Sequence, residues 1–308
     1  MRSLDHIPPL ALGSNVFGWT ADAETSFRLL DLFVDAGGVM IDTADVYSNW
    51  VPGNRGGESE AIIGQWLRQN PSKRDKVIVA TKVGYTDGLA PETITPSCER
   101  SLRRLGIEQI DLYYQHNDDA NVPLTDSLGV FDDLRRAGKI ASIGLSNFTA
   151  PRVSEALACS DANGLDRPVA LQNWYNLVER DLYEGPLQEL AVKERLTQFP
   201  YYGLASGFLT GKYRPQADTP EGARAARAGS YLKTRRGPAV LAALDAIAGE
   251  TGEPLAAIAL AWLKDRPSVG APVASASRPD QLYAIIRALD LTLDAQQVAL
   301  LDEASSLD

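Results

Sequence analysis

The sequence predicts an α/β protein, a single (β/α)8 TIM barrel that spans residues 1–308. The first observation is that short apolar segments rich in β-branched residues alternate with amphipathic segments, as buried parallel strands alternate with helices. The second is a repeat of about 30 residues, which is the length of a βαβ unit, and eight such units close a barrel. The third is that no break in composition and no Ser/Gly-rich linker divides the chain, which favours one domain.

Eight segments carry the pattern of a buried strand. Six are clear apolar runs, namely VMID (39–42), VIVATK (77–82), IDLYYQH (110–116), ASIGLS (141–146), VALQN (169–173) and APVAS (271–275). The other two are PPLALGSN near the start of the chain and RLTQFPYYG at 195–203. Together they supply the eight strands that the barrel requires.

Amphipathic segments between these runs predict helices, among them 24–37, 59–69, 95–106 and 124–138. Several of them end on Gly, which is typical of a helix C-cap. The stretch 212–236 has no strand character and is the longest such segment. Long segments of this kind are often lids or clamps on the cofactor side of a site, although a solvated surface helix explains the pattern equally well.

Composition excludes several classes of function. The formal net charge is −10, and no run of Lys or Arg is long enough to follow a phosphate backbone, so nucleic acid is not expected as a partner. No window approaches the roughly 20 apolar residues that span a bilayer, and the N-terminus lacks the apolar core of a signal peptide. We therefore expect a cytoplasmic protein.

Two Cys and two His residues are too few for a zinc site or a metal-dependent barrel hydrolase, so no metal is expected.

Polar residues follow three successive strands at the end where barrel enzymes carry their chemistry. Asp42 ends the first of these runs, Lys82 ends the second and His116 ends the third, while Tyr47 lies in the loop after Asp42. Each residue alone has an ordinary structural explanation, such as capping a turn or packing. Together they place an acid, a phenol, an ammonium and an imidazole at neighbouring strand ends, which indicates a catalytic site.

These four groups suit the transfer of a proton to a carbonyl oxygen while a hydride reaches its carbon. A phenol has a reference pKa of about 10, and a nearby ammonium stabilises phenolate, so we expect Lys82 to lower the pKa of Tyr47. Asp42 would keep the ammonium charged and in place. His116 would bind and orient the substrate oxygen.

Six motifs, in this order and spacing, resemble the aldo-keto reductase superfamily over essentially the whole chain: IDTADVYS, VATKVG, IDLYYQH, IGLSNF, YYGLASGFLTGKY and PVASASRPDQL. The resemblance implies a (β/α)8 barrel that reduces aldehydes or ketones with NADP(H). It also implies that Asp42, Tyr47, Lys82 and His116 form the catalytic tetrad, with Tyr47 as the general acid.

The cofactor is expected from this resemblance, because no G-x-G-x-x-G fingerprint follows a strand. The stretch GFLTGKY is not a phosphate loop, since its glycine spacing is one residue short and Tyr213 replaces the required Ser or Thr. By resemblance, Ser146, Asn147 and Gln172 hydrogen-bond the nicotinamide carboxamide. Tyr201 is expected to stack on the nicotinamide, and the neighbouring Tyr202 is the alternative.

Two further groups resemble the contacts of the cofactor phosphates. Leu204, Ser206, Leu209 and Lys212 correspond to the segment along the pyrophosphate, where backbone amides and one cation suit an anion. Ser275, Arg278 and Gln281 lie at the start of the last barrel helix, and Arg278 is expected to bind a 2′-phosphate. This favours NADP over NAD.

Trp19 and Trp50 are expected near the substrate cavity, also by resemblance. An aromatic wall suits a small apolar, aromatic or sugar-ring carbonyl compound. The alternative to an enzyme is a regulatory or binding subunit with low turnover, because some relatives attach to ion channels.

Overall fold

The structure is a computed structural model that describes residues 7–214 and 224–306. Eight parallel strands alternate with helices in it: β1 (Ala11–Gly13), β2 (Met40–Asp42), β3 (Ile78–Val83), β4 (Leu112–Gln115), β5 (Ile143–Ser146), β6 (Ala170–Gln172), β7 (Thr197–Gln198) and β8 (Val273–Ala274). Each strand pairs with its neighbour in sequence, and β8 pairs with β1. Backbone hydrogen bonds of 2.8 Å from Val273 of β8 to Pro200, just after β7, and from Gln198 of β7 to Ser268, just before β8, join the last two strand segments. The sheet is thus closed, and the predicted barrel is confirmed.

The helices surround the strands: α1 (Ala23–Asp35), α2 (Glu58–Gln69), α3 (Pro71–Arg74), α4 (Pro91–Leu105), α5 (Leu124–Arg136), α6 (Ala150–Asn163), α7 (Pro186–Glu194), α8 (Ala225–Ser230), α9 (Arg236–Thr251), α10 (Leu255–Lys264), α11 (Pro279–Ile286) and α12 (Ala295–Ala304). None of the described helices is long and apolar enough to cross a membrane. Gly106 caps α4 with a φ of 66°, a left-handed conformation that glycine adopts at little cost. The predicted glycine cap is therefore confirmed there, whereas α4 begins four residues earlier than predicted, at Pro91.

Alternation along the strands determines which side chains point into the barrel. Met40 belongs to the interior cluster, while Ile41 packs in the layer between strands and helices. Asp42 is the next residue, so it points inward again at the carboxyl end of β2. By the same alternation Lys82 follows Ala80 into the interior, and Gln172 follows Ala170.

The predicted long segment 212–236 contains α8, a 3₁₀ turn over Tyr231–Lys233 and the first residue of α9. Its central part, 215–223, lies outside the described residues. The described end of the segment is thus helical and not an extended loop.

Candidate active site

Lys82, Asp42 and Tyr47 meet inside the barrel at the carboxyl ends of the strands. Nζ of Lys82 lies 2.7 Å from Oδ2 of Asp42 and 3.0 Å from the Tyr47 hydroxyl oxygen. It also donates a 2.7 Å hydrogen bond to the carbonyl oxygen of Thr43. Lys82 lies on β3, Asp42 is the last residue of the neighbouring β2, and Thr43 and Tyr47 lie in the loop that follows β2. The ammonium is therefore held between a carboxylate and a phenol, as the sequence predicts.

A fourth residue fixes the carboxylate from across the barrel. Nε2 of Gln172 donates a 2.8 Å hydrogen bond to Oδ1 of Asp42, the oxygen that Lys82 leaves free. Both oxygens of this buried carboxylate thus have partners, which a buried charge requires. The contact joins the residues expected at the nicotinamide to those expected to move the proton.

The electrostatic balance at Tyr47 differs from the expectation. Burial raises the pKa of Tyr47 well above its usual value, and the negative charge of Asp42 raises it further. Burial also lowers the pKa of Lys82, although the adjacent Asp42 opposes that shift. The expected lowering of the Tyr47 pKa is therefore wrong, because burial and the adjacent carboxylate raise this pKa. Tyr47 is a protonated phenol at neutral pH, which is the state of a proton donor.

His116 lies beside Tyr47 at the end of β4. The two ring centroids are 6.2 Å apart, and the Tyr85 ring lies 4.8 Å from the imidazole on another side. Burial lowers the pKa of His116 well below its usual value, and the positive charge of Lys82 acts in the same direction. Its Nδ1 is buried without a hydrogen-bond partner among the described residues. A neutral imidazole with an unused ring nitrogen thus lies beside the phenol.

The residues expected at the nicotinamide carboxamide come together at the ends of β5 and β6. The Ser146 hydroxyl donates to the carbonyl oxygen of Gln172 at 2.9 Å. Asn147 adopts a φ of 61°, which turns the chain sharply after the strand, and its amide nitrogen donates to the carbonyl oxygen of His116 at 2.9 Å. Tyr201 donates a 2.6 Å hydrogen bond to Oδ1 of Asn147, whereas the Tyr202 ring packs on Trp174, with 4.6 Å between the ring centroids.

The turn after β7 has an unusual backbone. Tyr202, Ala205 and Ser206 have φ values of 56°, 49° and 59°, a region that costs non-glycine residues energy. Successive amides in such a turn form concave sites for anions. The hydroxyl oxygen of Ser206 is buried without a partner among the described residues, and the Lys212 ammonium would lie 3.4 Å from a Cβ added to Gly207. These features fit the phosphates of a nucleotide cofactor.

Leu204 and Leu209 contribute to this turn in a different way. The backbone N–H of Leu209 donates to the carbonyl oxygen of Leu204 at 3.3 Å, and the Leu209 side chain is fully buried in the layer between strands and helices. Leu204 is partly buried against the same apolar cluster. Both leucines therefore anchor the turn by packing.

At the end of β8, the Ser275 hydroxyl is hydrogen-bonded to Oδ1 of Asn15 at 2.7 Å. Oε1 of Gln281 accepts from the backbone N–H of Ser277 at 2.9 Å. Arg278 is exposed but not free, because its guanidinium forms two hydrogen bonds with Asp280, of 3.0 and 3.1 Å. The sequence analysis identified the Arg278 cation but not its partner Asp280, which lies only two residues away.

The two expected pocket tryptophans lie together above Tyr47. The Trp19 and Trp50 rings pack edge to face with 5.6 Å between centroids, and the Trp50 ring is 6.3 Å from that of Tyr47. Trp50 is 46% exposed, which is high for its size. An aromatic wall therefore extends from the phenol to the surface.

Sequence reasoning missed three residues around this site. Tyr85, against His116, follows β3 and could have been found by the same search of strand ends that found Lys82. Arg224 and Arg227 belong to the long segment singled out in the sequence, but nothing in their spacing identifies them. Arg224 lies over Trp19, and Arg227 lies over Trp174.

Comparison with known proteins provides evidence that is independent of this geometry. The sequence model of the Aldo/keto reductase family matches residues 9–306. A Bacillus subtilis protein described as an uncharacterized oxidoreductase is 32% identical, over 96% of this chain and 91% of its own length. An NADP(+) aryl-alcohol dehydrogenase of Phanerodontia chrysosporium is 28% identical, over 97% of this chain and 82% of its own. An Arabidopsis thaliana protein named "Probable voltage-gated potassium channel subunit beta" is also 28% identical, over 92% and 88%.

Proposed function

The chain belongs to the aldo/keto reductase family, and on that basis we propose that it is an NADPH-dependent reductase of aldehydes or ketones with Tyr47 as proton donor. The observation that carries the proposal is the contact of 3.0 Å between Nζ of Lys82 and the hydroxyl oxygen of Tyr47, inside the barrel and backed by Asp42. The reverse reaction is the oxidation of an alcohol.

The direction of the hydrogen bonds supports Tyr47 as the donor. Because the Lys82 ammonium donates to the phenol oxygen, the phenol proton is left for another acceptor. Its contact with Asp42 is long, at 3.5 Å. A substrate carbonyl oxygen above the ring would accept this proton, and Lys82 would then stabilise the phenolate that forms. A high pKa of the resting phenol is thus compatible with stabilisation of the phenolate while the proton is transferred.

His116 has a separate task in this proposal. A neutral imidazole donates one hydrogen bond and carries no charge, so it can orient the carbonyl oxygen without competing for the proton. The low pKa of His116 makes it a poor general acid.

Residues at the ends of β5, β6 and β7 would hold the cofactor, which supplies the hydride when bound. Ser146, Asn147 and Gln172 offer amide and hydroxyl groups to a carboxamide, and Tyr201 is positioned by its hydrogen bond to Asn147. Lys212 and the turn at Ser206 would bind the cofactor phosphates. The Ser206 hydroxyl fits this role because it has no hydrogen-bond partner among the described residues.

The preference for NADP and for aryl carbonyl substrates rests on further observations. Arg278 offers a forked cation for a 2′-phosphate, although Asp280 must release it. Trp19 and Trp50 offer aromatic surface beside the phenol. One relative is named as an NADP(+) aryl-alcohol dehydrogenase, which agrees with both preferences.

The test is a screen of NADPH oxidation against aryl aldehydes, ketones, quinones and keto-sugars, with Tyr47→Phe as the matched negative control. We expect turnover of aryl aldehydes that the control loses. If a channel-subunit role with low turnover were correct, as the name of one relative would suggest, NADPH would bind but no carbonyl compound would be reduced at an appreciable rate.

A further inference from the structure

Two arginines cover aromatic rings at the mouth of the candidate active site. The Arg224 guanidinium lies 5.6 Å from the centroid of the Trp19 ring. The Arg227 guanidinium lies 5.0 Å from that of Trp174 and 5.7 Å from that of Tyr202. Stacking on aromatic rings holds a guanidinium in place while leaving its N–H groups free to bind an anion.

Neither arginine has an acidic partner within residues 7–214 and 224–306. Within the same ranges, Arg152, Arg180 and Arg236 each pair with a carboxylate. The chain as a whole carries a formal net charge of −10. A basic composition therefore does not explain why these two cations lie near each other. Burial lowers the pKa of Arg224, so its charge is partly withdrawn from water.

The position of these cations connects them to the reacting end of the cavity. The positive charge of Arg224 acts on Tyr47, lowering its pKa against the larger effect of burial. From Tyr47 outward, the aromatic wall runs through Trp50 to Trp19, whose ring Arg224 covers. A flat substrate with its carbonyl oxygen at Tyr47 would therefore lie along this wall and direct its far end toward Arg224. Arg227 lies three residues further along the chain, in α8.

We propose that Arg224 and Arg227 form an anion subsite of the substrate cavity, which selects aryl aldehydes or ketones that carry a carboxylate remote from the carbonyl group. The inference rests on the proposed function and names its substrate class. A carboxylate suits the subsite because a guanidinium binds it through two parallel hydrogen bonds. The aromatic rings beneath the arginines contribute contact area to the ring of the same substrate.

The same chemistry would bind a phosphate of the cofactor. Burial lowers the pKa of Lys212, and the positive charges of Arg224 and Arg278 lower it further, so Arg224 also faces the phosphate side. The experiment must therefore separate a carboxylate on the substrate from a phosphate on the cofactor.

The test uses 4-formylbenzoate and its neutral methyl ester, which share the ring and the aldehyde. Binding of each to the NADP⁺-saturated protein is measured by calorimetry, and kcat/KM is measured with NADPH. The variants are Arg224→Gln and Arg227→Gln. The matched control is Arg167→Gln, which removes the same charge at the opposite end of β6, where Arg167 pairs with Asp161 and Glu194.

We expect the unmodified protein to favour the acid over the ester by about tenfold or more, the range of a charge-assisted hydrogen bond. Each mouth variant should reduce this acid-to-ester ratio severalfold, while the control keeps it. A ratio unchanged in both mouth variants would overturn the subsite. So would a loss of NADPH affinity as large as the loss of acid binding, because it would assign both arginines to the cofactor.

Failure of the proposed function gives a different result. Neither aldehyde would then be reduced by NADPH, yet the acid would still bind more tightly than the ester in an arginine-dependent manner. That outcome would support the subsite and contradict the reductase.

Discussion

Lys82 and Asp42 form a buried ion pair, with 2.7 Å between Nζ and Oδ2 and side chains that are 0% and 1% exposed. The pair lies at the end of the barrel interior and contacts Tyr47 directly. Removing one member of a buried pair leaves an uncompensated charge, which costs more than the pair itself contributes. In the proposed mechanism, stability and catalysis therefore depend on the same contact, and experiment can separate the two.

The first prediction concerns this pair. Lys82→Met should abolish carbonyl reduction, retain NADPH binding and lower the free energy of unfolding by about 3–5 kcal/mol, because Asp42 loses its counter-ion. The double variant Lys82→Met/Asp42→Asn should recover much of that stability without recovering activity. Urea unfolding and steady-state kinetics measure the two effects. Trapping of the substrate on Lys82 by borohydride would instead indicate a Schiff base and contradict the assignment.

A second prediction concerns Asp45, whose backbone N–H donates to the carbonyl oxygen of Lys82 at 3.2 Å. Burial raises the pKa of Asp45 to about 7, and the negative charge of Glu60 adds to this shift, while Arg104 opposes it. The folded protein thus binds a proton there that the unfolded chain has released. This group costs no stability below its unfolded pKa of 3.8, and its cost grows until pH reaches about 7.

Asp45→Asn should therefore stabilise the protein more at pH 8 than at pH 5. The gain is on the order of 4 kcal/mol at pH 8 and about 1–2 kcal/mol at pH 5. Urea unfolding of both proteins at the two pH values gives the difference directly. An equal gain at both values would show that this carboxyl group does not titrate in the window.

Cofactor preference provides a third prediction. Arg278→Ala should narrow the proposed preference for NADPH over NADH, since it removes the cation that we propose for the 2′-phosphate. Asp280→Asn should widen it by about two- to fivefold, because it releases Arg278 from an exposed pair. Fluorescence titration with both cofactors measures the ratio. Equal affinities of the unmodified protein for NADPH and NADH would contradict the assignment of Arg278 to the 2′-phosphate.

Much of the fold and part of the site could be predicted from the sequence. The barrel follows from the alternation of strands and helices, and the inward direction of Asp42 and Lys82 follows from the period of two along a strand. The positions of Tyr47 and His116 beside them follow from the rule that barrel chemistry lies at the carboxyl ends of strands. These features depend on local patterns, which a sequence contains.

Other features depend on contacts between distant segments and could not be predicted. The hydrogen bond from Gln172 to Asp42 joins residues 130 positions apart, and no local pattern indicates it. The pKa of Tyr47 depends on how deeply the phenol is buried, so the direction expected from its charged neighbour is wrong. Arg224 and Arg227 follow residues 215–223, which lie outside the described part, and only the fold brings them over the rings.

The most direct test of the account is the single-turnover rate of hydride transfer in Tyr47→Phe, compared with His116→Ala. In Tyr47→Phe the ring fills the same space and lacks only the hydroxyl group, so the fold and the affinity for NADPH should be retained. General acid catalysis typically contributes about 10²- to 10⁴-fold, and we predict a loss of that size in kcat and in kcat/KM. A near-normal rate in Tyr47→Phe, with the larger loss in His116→Ala, would contradict Tyr47 as the proton donor.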